Sequence, residues 1–175
     1  MELPTINSVD RVTREELNTL VNLGCCYVRI PETEIFEHFK ILKREALDFF
    51  RQGEIQKQNK KSNSGMKAHK DYDLMTVILM DKPGLEVLWD EQWHDVNPQP
   101  GYGVLFLSET LEKMLGGKIN SSIHRVRIPD EERISIGVFK GPNTNIPIRD
   151  YIHDQILFDS HEQCLEHYRQ LFRGE

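Results

Sequence analysis

The chain has 175 residues, of which 38% are hydrophobic and 29% charged, and its formal charge of −6 corresponds to a pI near 5.7. This length suffices for one structural domain with a sizeable core. The negative charge excludes general electrostatic attraction to nucleic acid or to an anionic membrane surface. The longest apolar run, residues 74–80, is too short to span a bilayer and no secretory signal is visible, so we expect a soluble cytoplasmic protein.

Residues 1–55 are predicted to form a helix–strand–helix region that packs on the core. Thr13-Arg14-Glu15-Glu16 is a capping box, so a helix begins there, and Gly24 can end it. Residues 25–30 are predicted to form a strand. A second helix follows Pro31, and its buried face is predicted to carry Ile35, Phe36, Phe39, Leu42, Leu47 and Phe50.

The rest of the chain is predicted to form a β core and a C-terminal helix. Residues 51–68 are polar and predict a loop. Apolar segments, several rich in β-branched residues, then recur at 74–80, 85–89, 102–107, 123–128 and 133–139. This pattern predicts an antiparallel sandwich over residues 66–140. In the C-terminal segment 141–175, a capping box at residues 160–163 opens an amphipathic helix with Leu165, Tyr168, Leu171 and Phe172.

The three cysteines, Cys25, Cys26 and Cys164, are an odd number. The adjacent pair is poorly disposed to form a disulfide with itself. We therefore expect packing roles for Cys25 and Cys26 and a reducing compartment for the protein.

Two histidines and one aspartate form the strongest chemical pattern in the chain. His69 and Asp71 are two positions apart, and His124 follows much later. Two imidazoles and one carboxylate can fill three adjacent corners of an octahedron around Fe(II), leaving three for a co-substrate and dioxygen. The sequence therefore predicts an iron centre in which these three residues are both metal ligands and catalytic residues.

Arg133 and Ser135 form a second pattern. On a strand, side chains at i and i+2 point the same way, about 7 Å apart, so both can contact one ligand. A guanidinium and a hydroxyl match a carboxylate, and such a charge-assisted contact contributes about 1.5–3 kcal/mol. The pair is predicted to bind a carboxylate-bearing co-substrate.

The order and spacing of these segments resemble the Fe(II)- and 2-oxoglutarate-dependent oxygenases, specifically the branch with isopenicillin N synthase and the plant flavonoid and gibberellin dioxygenases. The matching stretches are residues 68–76, 83–87, 93–101, 117–122, 124–126 and 133–135. The resemblance implies a mainly β fold with flanking helices around a double-stranded β-helix, a jelly-roll variant. It also implies that His69, Asp71 and His124 bind Fe(II) and that Arg133 and Ser135 bind 2-oxoglutarate. The implied reaction uses dioxygen to oxidise a C–H bond and releases succinate and carbon dioxide.

The chain departs from the family pattern at several positions. Residues 54–59 contain no Tyr, although the family has a co-substrate tyrosine there. Ser108-Glu109 replaces a Gly-Asp pair, which we interpret as variation at a turn. Asp73 replaces a glycine and is expected to face away from the metal. Phe139 is expected in the core, although the family has an aromatic near this point that can border the pocket.

Two alternatives stay open from the sequence: a metal-binding barrel that acts as a binding or regulatory module without efficient turnover, and an iron oxidase that does not use 2-oxoglutarate. The sequence does not identify the substrate, and we expect a small molecule, a peptide or a carrier-bound molecule. The short stretch between Phe50 and His69 leaves little chain to cover one flank of the barrel. We expect that flank to be apolar, so that it either forms a homo-oligomer or receives a large substrate.

Overall fold

The structure, a computed structural model, describes residues 3–31, 34–52, 65–128 and 131–173. Its strands are β1 (Thr5–Ile6), β2 (Cys25–Arg29), β3 (Met66–His69), β4 (Met75–Met80), β5 (Leu85–Trp89), β6 (Gln92–Val96), β7 (Tyr102–Leu107), β8 (His124–Val126), β9 (Ser135–Lys140), β10 (Ile148–Asp150) and β11 (Gln155–Phe158). Its helices are α1 (Arg14–Leu23), α2 (Glu34–Gln52), α3 (Glu109–Met114) and α4 (His161–Arg173), with a 3-10 turn at Val9–Arg11. None of the described helices has the length and apolar character to cross a bilayer.

Nine of these strands form two sheets that face each other. The first sheet has the order β1-β2-β7-β4-β9 and the second β3-β8-β5-β6. All neighbours are antiparallel except β1 and β2. The largest core cluster takes residues from both sheets, including Tyr27, Val104 and Phe106 from the first and Leu85, Val87 and Val96 from the second. The prediction of a mainly β jelly roll is confirmed, with two facing sheets rather than a closed barrel.

Strand β7 is buried on both faces because α1 covers the outer side of the first sheet. Its residues alternate with period two: Val104 and Phe106 join the core between the sheets, whereas Leu105 and Leu107 pack with Leu20 of α1. The cysteines follow the same rule on β2, where Cys25 faces one core and Cys26 the other. Cys25, Cys26 and Cys164 are all buried and none forms a disulfide, and the positions of Cys25 and Cys26 in the two core clusters agree with the predicted packing roles.

The end of α1 is tied to the segment that leads into β8. The predicted capping box at Thr13 is present, and Gly24 ends the helix in the left-handed region with φ 76°. The last carbonyls of a helix lack partners within it. Here the Asn120 N–H donates to the Val21 carbonyl at 2.9 Å, and the Ser122 hydroxyl donates to the Leu23 carbonyl at 2.5 Å.

The C-terminal segment packs against the loop that follows β3. Ile148, Cys164 and Tyr168 form a buried cluster, and Tyr72 stacks on Tyr168 with ring centroids 4.1 Å apart. Only one of the two hydrogen bonds of the predicted capping box is present: the Ser160 hydroxyl accepts from the Gln163 N–H. The Gln163 side chain accepts from the N–H of Asp159 instead of that of Ser160. The division into residues 1–55, 66–140 and 141–175 stays a prediction. Strand β2 belongs to the predicted N-terminal region, yet it pairs within the first sheet of the core.

Three residues predicted to be buried are exposed. Leu42 is 52% exposed because the half-buried face of α2 runs through Phe39, Lys43 and Ala46, and Leu42 lies beside that face. Leu171 is 58% exposed, one turn beyond the buried Tyr168. Phe139 is 59% exposed on β9, at the margin of the first sheet, so its assignment to the core was wrong.

Element bounds also differ from the sequence prediction. The predicted loop at 51–68 is shorter, because α2 extends to Gln52 and β3 begins at Met66; residues 53–64 lie outside the described residues. The side chains of Ile35, Phe36, Leu47, Phe50 and Phe172 also lie outside the described part. Strands β1, β3, β6, β10 and β11 were not predicted. The β5–β6 turn uses Asp90 and Glu91 at positive φ, where glycine or asparagine is the usual signal.

Candidate metal centre

The second sheet brings two histidines side by side. His69 of β3 pairs directly with His124 of β8, and His124 in turn pairs with Val87 of β5. Directly paired residues project from the same face of a sheet. Because Val87 belongs to the core between the sheets, both imidazoles project from the inner face of the second sheet. Their ring centroids are 4.4 Å apart.

Asp71, two residues beyond the end of β3, completes the cluster. Its Oδ1 lies 3.6 Å from His69 Nε2 and 3.7 Å from His124 Nε2. One donor atom from each of the three residues lies within 4.8 Å of the other two. His124 and Asp71 are buried, and His69 is half-buried, so the cluster is open to solvent mainly on the side of His69.

The backbone sets the orientation of both imidazoles. His69 Nδ1 lies 2.9 Å from the Lys67 carbonyl, and His124 Nδ1 lies 3.3 Å from the Ser122 carbonyl. A carbonyl can only accept, so each Nδ1 carries the proton and donates it. Each Nε2 then presents its lone pair toward Asp71, as a metal-binding imidazole must. The Phe106 ring stacks on His124 at 4.4 Å and restrains it from the first sheet.

The three groups perturb one another electrostatically. The contact with Asp71 raises the pKa of His69 above its ordinary value. Burial lowers the pKa of His124, and the nearby Asp71 only partly opposes this. Burial would raise the pKa of Asp71, but the contact with His69, the neighbouring Thr76 hydroxyl and the electrostatic interaction with the two imidazoles bring it below its ordinary value. Mutual perturbation of this kind is common at functional sites.

The donor set fits a divalent transition metal. Two imidazole nitrogens and a carboxylate oxygen suit Fe(II), and three protein ligands leave positions for other molecules. Asp71 Oδ2 is buried without a hydrogen-bond partner among the described residues. A buried carboxylate oxygen without a partner is costly, and a bound cation would remove that cost.

Helix α3 holds the loop that carries Asp71. The Glu109 N–H donates to the Asp71 carbonyl at 2.8 Å, the Thr110 hydroxyl donates to the Tyr72 carbonyl, and Lys70 forms an ion pair with Glu112. The interpretation of residues 108–109 as part of a turn was therefore wrong, because Ser108 opens a helix. Acidic residues in the first turn and a Glu109–Lys113 pair at i,i+4 were available sequence signals for it.

The predicted co-substrate pair lies at the other sheet. Arg133 lies two residues before Ser135, the first residue of β9, and its guanidinium donates to the Ser135 hydroxyl at 3.1 Å, so the two side chains are in contact. Arg133 also donates to the Lys82 carbonyl and to the Met80 sulfur. None of these three contacts is with a carboxylate, and they use three of the five N–H groups of the guanidinium.

Arg133 lines a small cavity of about 200 Å³, together with Lys82, Gly84, Arg127 and Glu131. Both other cationic residues that line this cavity are paired with carboxylates: Lys82 with Glu131, and Arg127 with Glu86 and Asp95 of the second sheet. Burial lowers the pKa of Arg133, which the nearby Asp81 partly opposes. The candidate metal ligands do not line this cavity.

Asp73 is not part of the His69, Asp71 and His124 cluster. A methyl group built on Gly141 would lie 3.3 Å from an oxygen of Asp73 and 2.8 Å from the ring of His161, so Asp73 lies toward the C-terminal segment. Burial raises its pKa. Of the lysines near the metal motif, Lys70 is paired with Glu112, and Lys57, Lys60 and Lys61 lie outside the described residues.

Comparison with known proteins gives one family and many relatives. The family model of the 2OG-Fe(II) oxygenase superfamily matches residues 54–142, just over half of the chain. Flavanone 3-dioxygenase 2 of Oryza sativa subsp. japonica is 33% identical over 129 residues, which cover 62% of this chain and 38% of that protein. From the same organism, "2-oxoglutarate-dependent dioxygenase 21, chloroplastic" is 30% identical over 132 residues, covering 74% and 36%.

A solved structure shares the fold. JOX2, in complex with 2OG, Fe and JA, aligns with a TM-score of 0.52 and 28% identity over 62% of this chain and 34% of that one. The chain therefore spans little more than a third of the length of these three proteins.

Proposed function

Because the chain belongs to the 2OG-Fe(II) oxygenase superfamily, we propose that it is an Fe(II)- and 2-oxoglutarate-dependent dioxygenase that oxidises a C–H bond of its substrate. In this proposal His69, Asp71 and His124 hold the metal, and Arg133 with Ser135 holds the far carboxylate of 2-oxoglutarate. Succinate and carbon dioxide are the co-products.

The convergence of three donor atoms on the inner face of the second sheet carries the proposal. Each imidazole is held by its Nδ1 proton, and Asp71 Oδ1 lies at nearly equal distances from both Nε2 atoms. The ligands of a bound metal ion would therefore be oriented before any co-substrate arrives. Bound Fe(II) would supply the activation of dioxygen, which protein side chains alone do not provide.

The residues of the chain bind, orient and exclude water. Arg133 has two N–H groups beyond its described contacts, and a planar fork of that kind suits a carboxylate. Ser135 adds a hydroxyl beside it. Phe106 and Val87 line the inner faces of the sheets next to His124, and their apolar surface would keep water from that side of a bound metal. Relatives whose names or bound ligands include 2-oxoglutarate support the choice of co-substrate.

Anaerobic titration tests the proposal. Fe(II) and then 2-oxoglutarate are added to the protein while the visible metal-to-ligand charge-transfer band is recorded, and succinate is measured after air is admitted. We expect the band to appear and succinate to form. Fe(II) binding without the band would favour an iron oxidase that does not use 2-oxoglutarate; the band without succinate would favour a binding module.

The ligand assignment is tested with His69→Ala, Asp71→Ala and His124→Ala. We expect each variant to keep its fold by circular dichroism and to lose tight Fe(II) binding by calorimetry, because three ligands are all that this set offers. Unchanged affinity in any one variant would remove that residue from the site.

A further inference from the structure

Glu112 of α3 joins two segments that carry the candidate metal ligands. One of its carboxylate oxygens, Oε2, accepts from the Lys70 ammonium at 2.9 Å and from the Ser121 hydroxyl. Lys70 stands between His69 and Asp71, and Ser121 is three residues before His124. A single oxygen atom therefore links the loop of Asp71 to the segment that enters β8.

This link is better shielded from water than a typical surface ion pair. The Lys70 and Glu112 side chains are 29% and 22% exposed, and Ser121 is buried. A buried hydroxyl needs a partner, and Glu112 supplies it. Exposed ion pairs contribute little because solvent and salt screen them, whereas partly buried, hydrogen-bonded charges resist displacement.

The β ladder alone does not set the position of Asp71. Strand β3 ends at His69, and its pairing with β8 shifts register between Met66 and His69. Asp71 lies beyond the last paired residue, so its placement relative to His124 depends on contacts outside the sheet. Glu112 makes such contacts with both segments.

Resting on the proposed metal site, we propose that Glu112 is a positioning residue, which fixes the His69–Asp71 loop relative to His124 through its shared contacts with Lys70 and Ser121. It does not touch the metal. Its loss leaves all three ligands in the chain but lets the two segments move apart, so the cost appears in metal affinity and in ligand geometry.

Co(II) provides the test, because its visible absorption reports coordination geometry without turnover. Glu112→Met keeps the length of the side chain and removes both acceptor oxygens. We expect it to weaken Co(II) binding by about tenfold or more and to change the absorption bands, as loss of residues that support metal ligands typically does. Glu112→Gln retains an acceptor and should restore part of the affinity.

Two further variants separate the arms of the link. Lys70→Met and Ser121→Ala should each weaken Co(II) binding. The double variant Lys70→Met, Glu112→Met should lose less Co(II) affinity than the two single losses combined, because each single change already removes the same Lys70–Glu112 interaction. The matched control is Lys113→Met, which breaks the Glu109–Lys113 ion pair, also 2.9 Å long and on the same helix. It should leave Co(II) affinity and spectrum unchanged even where thermal stability falls.

The outcomes distinguish this inference from the proposed function. A wild-type protein that does not bind Co(II) would refute the metal site itself. Wild-type binding with an unchanged affinity and spectrum in Glu112→Met would overturn the positioning role and leave the metal site standing. A fall in melting temperature in Glu112→Met without any change in Co(II) binding would show that Glu112 serves stability alone.

Discussion

At the scale of single residues, Asp71 divides its carboxylate between two environments. Oδ1 faces both imidazoles, whereas Oδ2 is buried without a partner among the described residues. The Ser108 hydroxyl, which follows β7, is also buried without a described partner, and the buried Thr76 hydroxyl of β4 lies near Asp71. A buried polar group without a partner calls for an explanation, and for Asp71 Oδ2 a bound cation is one.

Arg133→Met gives the sharpest prediction at this scale. We expect Fe(II) affinity to stay unchanged and 2-oxoglutarate affinity to fall by about tenfold or more, because the change removes a charged fork worth about 1.5–3 kcal/mol and leaves the metal ligands alone. Calorimetric titration of the metal-free protein with Fe(II), and of the Fe(II)-loaded protein with 2-oxoglutarate, measures the two affinities.

Arg127→Met is the control for this prediction, because Arg127 lines the same cavity but already pairs with Glu86 and Asp95. It should leave 2-oxoglutarate affinity nearly unchanged. Equal affinities in wild type and Arg133→Met would make Arg133 a structural arginine and would favour the binding-module alternative.

At the scale of elements, helix α2 is joined to the first sheet through Asp81. The Lys43 ammonium lies 2.9 Å from Asp81 Oδ2, and Asp81 Oδ1 accepts from the Ile134 N–H at 2.9 Å. Burial would raise the pKa of Asp81, but Lys43 and the backbone N–H bring it below its ordinary value of 3.8. The carboxylate thereby connects α2 with the residue that follows Arg133.

Asp81→Asn is expected to lower the free energy of unfolding by about 2 kcal/mol at pH 7, since it removes the negative charge that pairs with Lys43 and strengthens the hydrogen bond from the Ile134 N–H at a largely buried position. The pKa of Asp81 is lower in the folded than in the unfolded state, so its stabilisation is present above pH 3.8 and disappears as the pH falls through the folded value. Urea denaturation from pH 7 to pH 3 should show the two proteins converging at acid pH.

The exposed pair of Asp95 and Arg127 offers a control, because Asp95→Asn should cost well under about 1 kcal/mol. A constant difference between wild type and Asp81→Asn over the whole pH range would show that the carboxylate charge is not the source of the stabilisation.

Gly24 is a second junction between elements, where α1 meets the segment before β8. A methyl group at this position would lie 2.4 Å from the Asn120 carbonyl oxygen and 2.9 Å from the Ser122 nitrogen. We expect Gly24→Ala to destabilise the fold by about 3 kcal/mol, combining left-handed backbone strain with overpacking. Thermal and urea unfolding measure the change.

Gly101→Ala separates these two causes, because Gly101 also has positive φ, 83°, but a methyl group there meets nothing within 4 Å. It should cost only about 1–2 kcal/mol, the strain alone. Equal losses at the two glycines would mean that the contact of Gly24 with residues 120–122 is unimportant.

At the scale of the whole molecule, apolar surface remains exposed along β9. Val138 and Phe139 are both more than half exposed, and among the described strands β9 pairs only with β4. Unpaired strand edges with apolar side chains favour association. The predicted homo-oligomer, and the cytoplasmic location with it, stay predictions.

We expect the protein to self-associate at tens of micromolar, with Val138→Lys and Phe139→Lys each shifting the equilibrium toward monomer. Light scattering over a concentration series measures this. Leu17→Lys, at a half-exposed leucine of α1, is the control and should have no effect. A wild-type protein that stays monomeric over the series would refute the prediction. Binding of a large substrate would then be the remaining explanation for the exposed apolar surface of β9.

The sequence by itself determined the chemistry of the candidate site and most of the sheet. His69, Asp71 and His124 are recognisable because a metal restricts both residue type and spacing. The capping box of α1 and the β-branched segments are recognisable because each depends on neighbours within a few residues. Strand β6 was missed because its turn lacks the usual residues, and α3 was missed because Ser108-Glu109 was compared with a turn motif.

Only the tertiary structure decided which distant residues hold the site in place. Glu112 contacts Lys70 across 42 positions, and Asn120 contacts Asn22 across 98 positions and the adjacent Val21. The tertiary structure also decided that Leu42, Phe139 and Leu171 are exposed. Local periodicity reports which face of an element is apolar, but burial and long-range hydrogen bonds depend on which surface another element covers, and that follows from strand order and register.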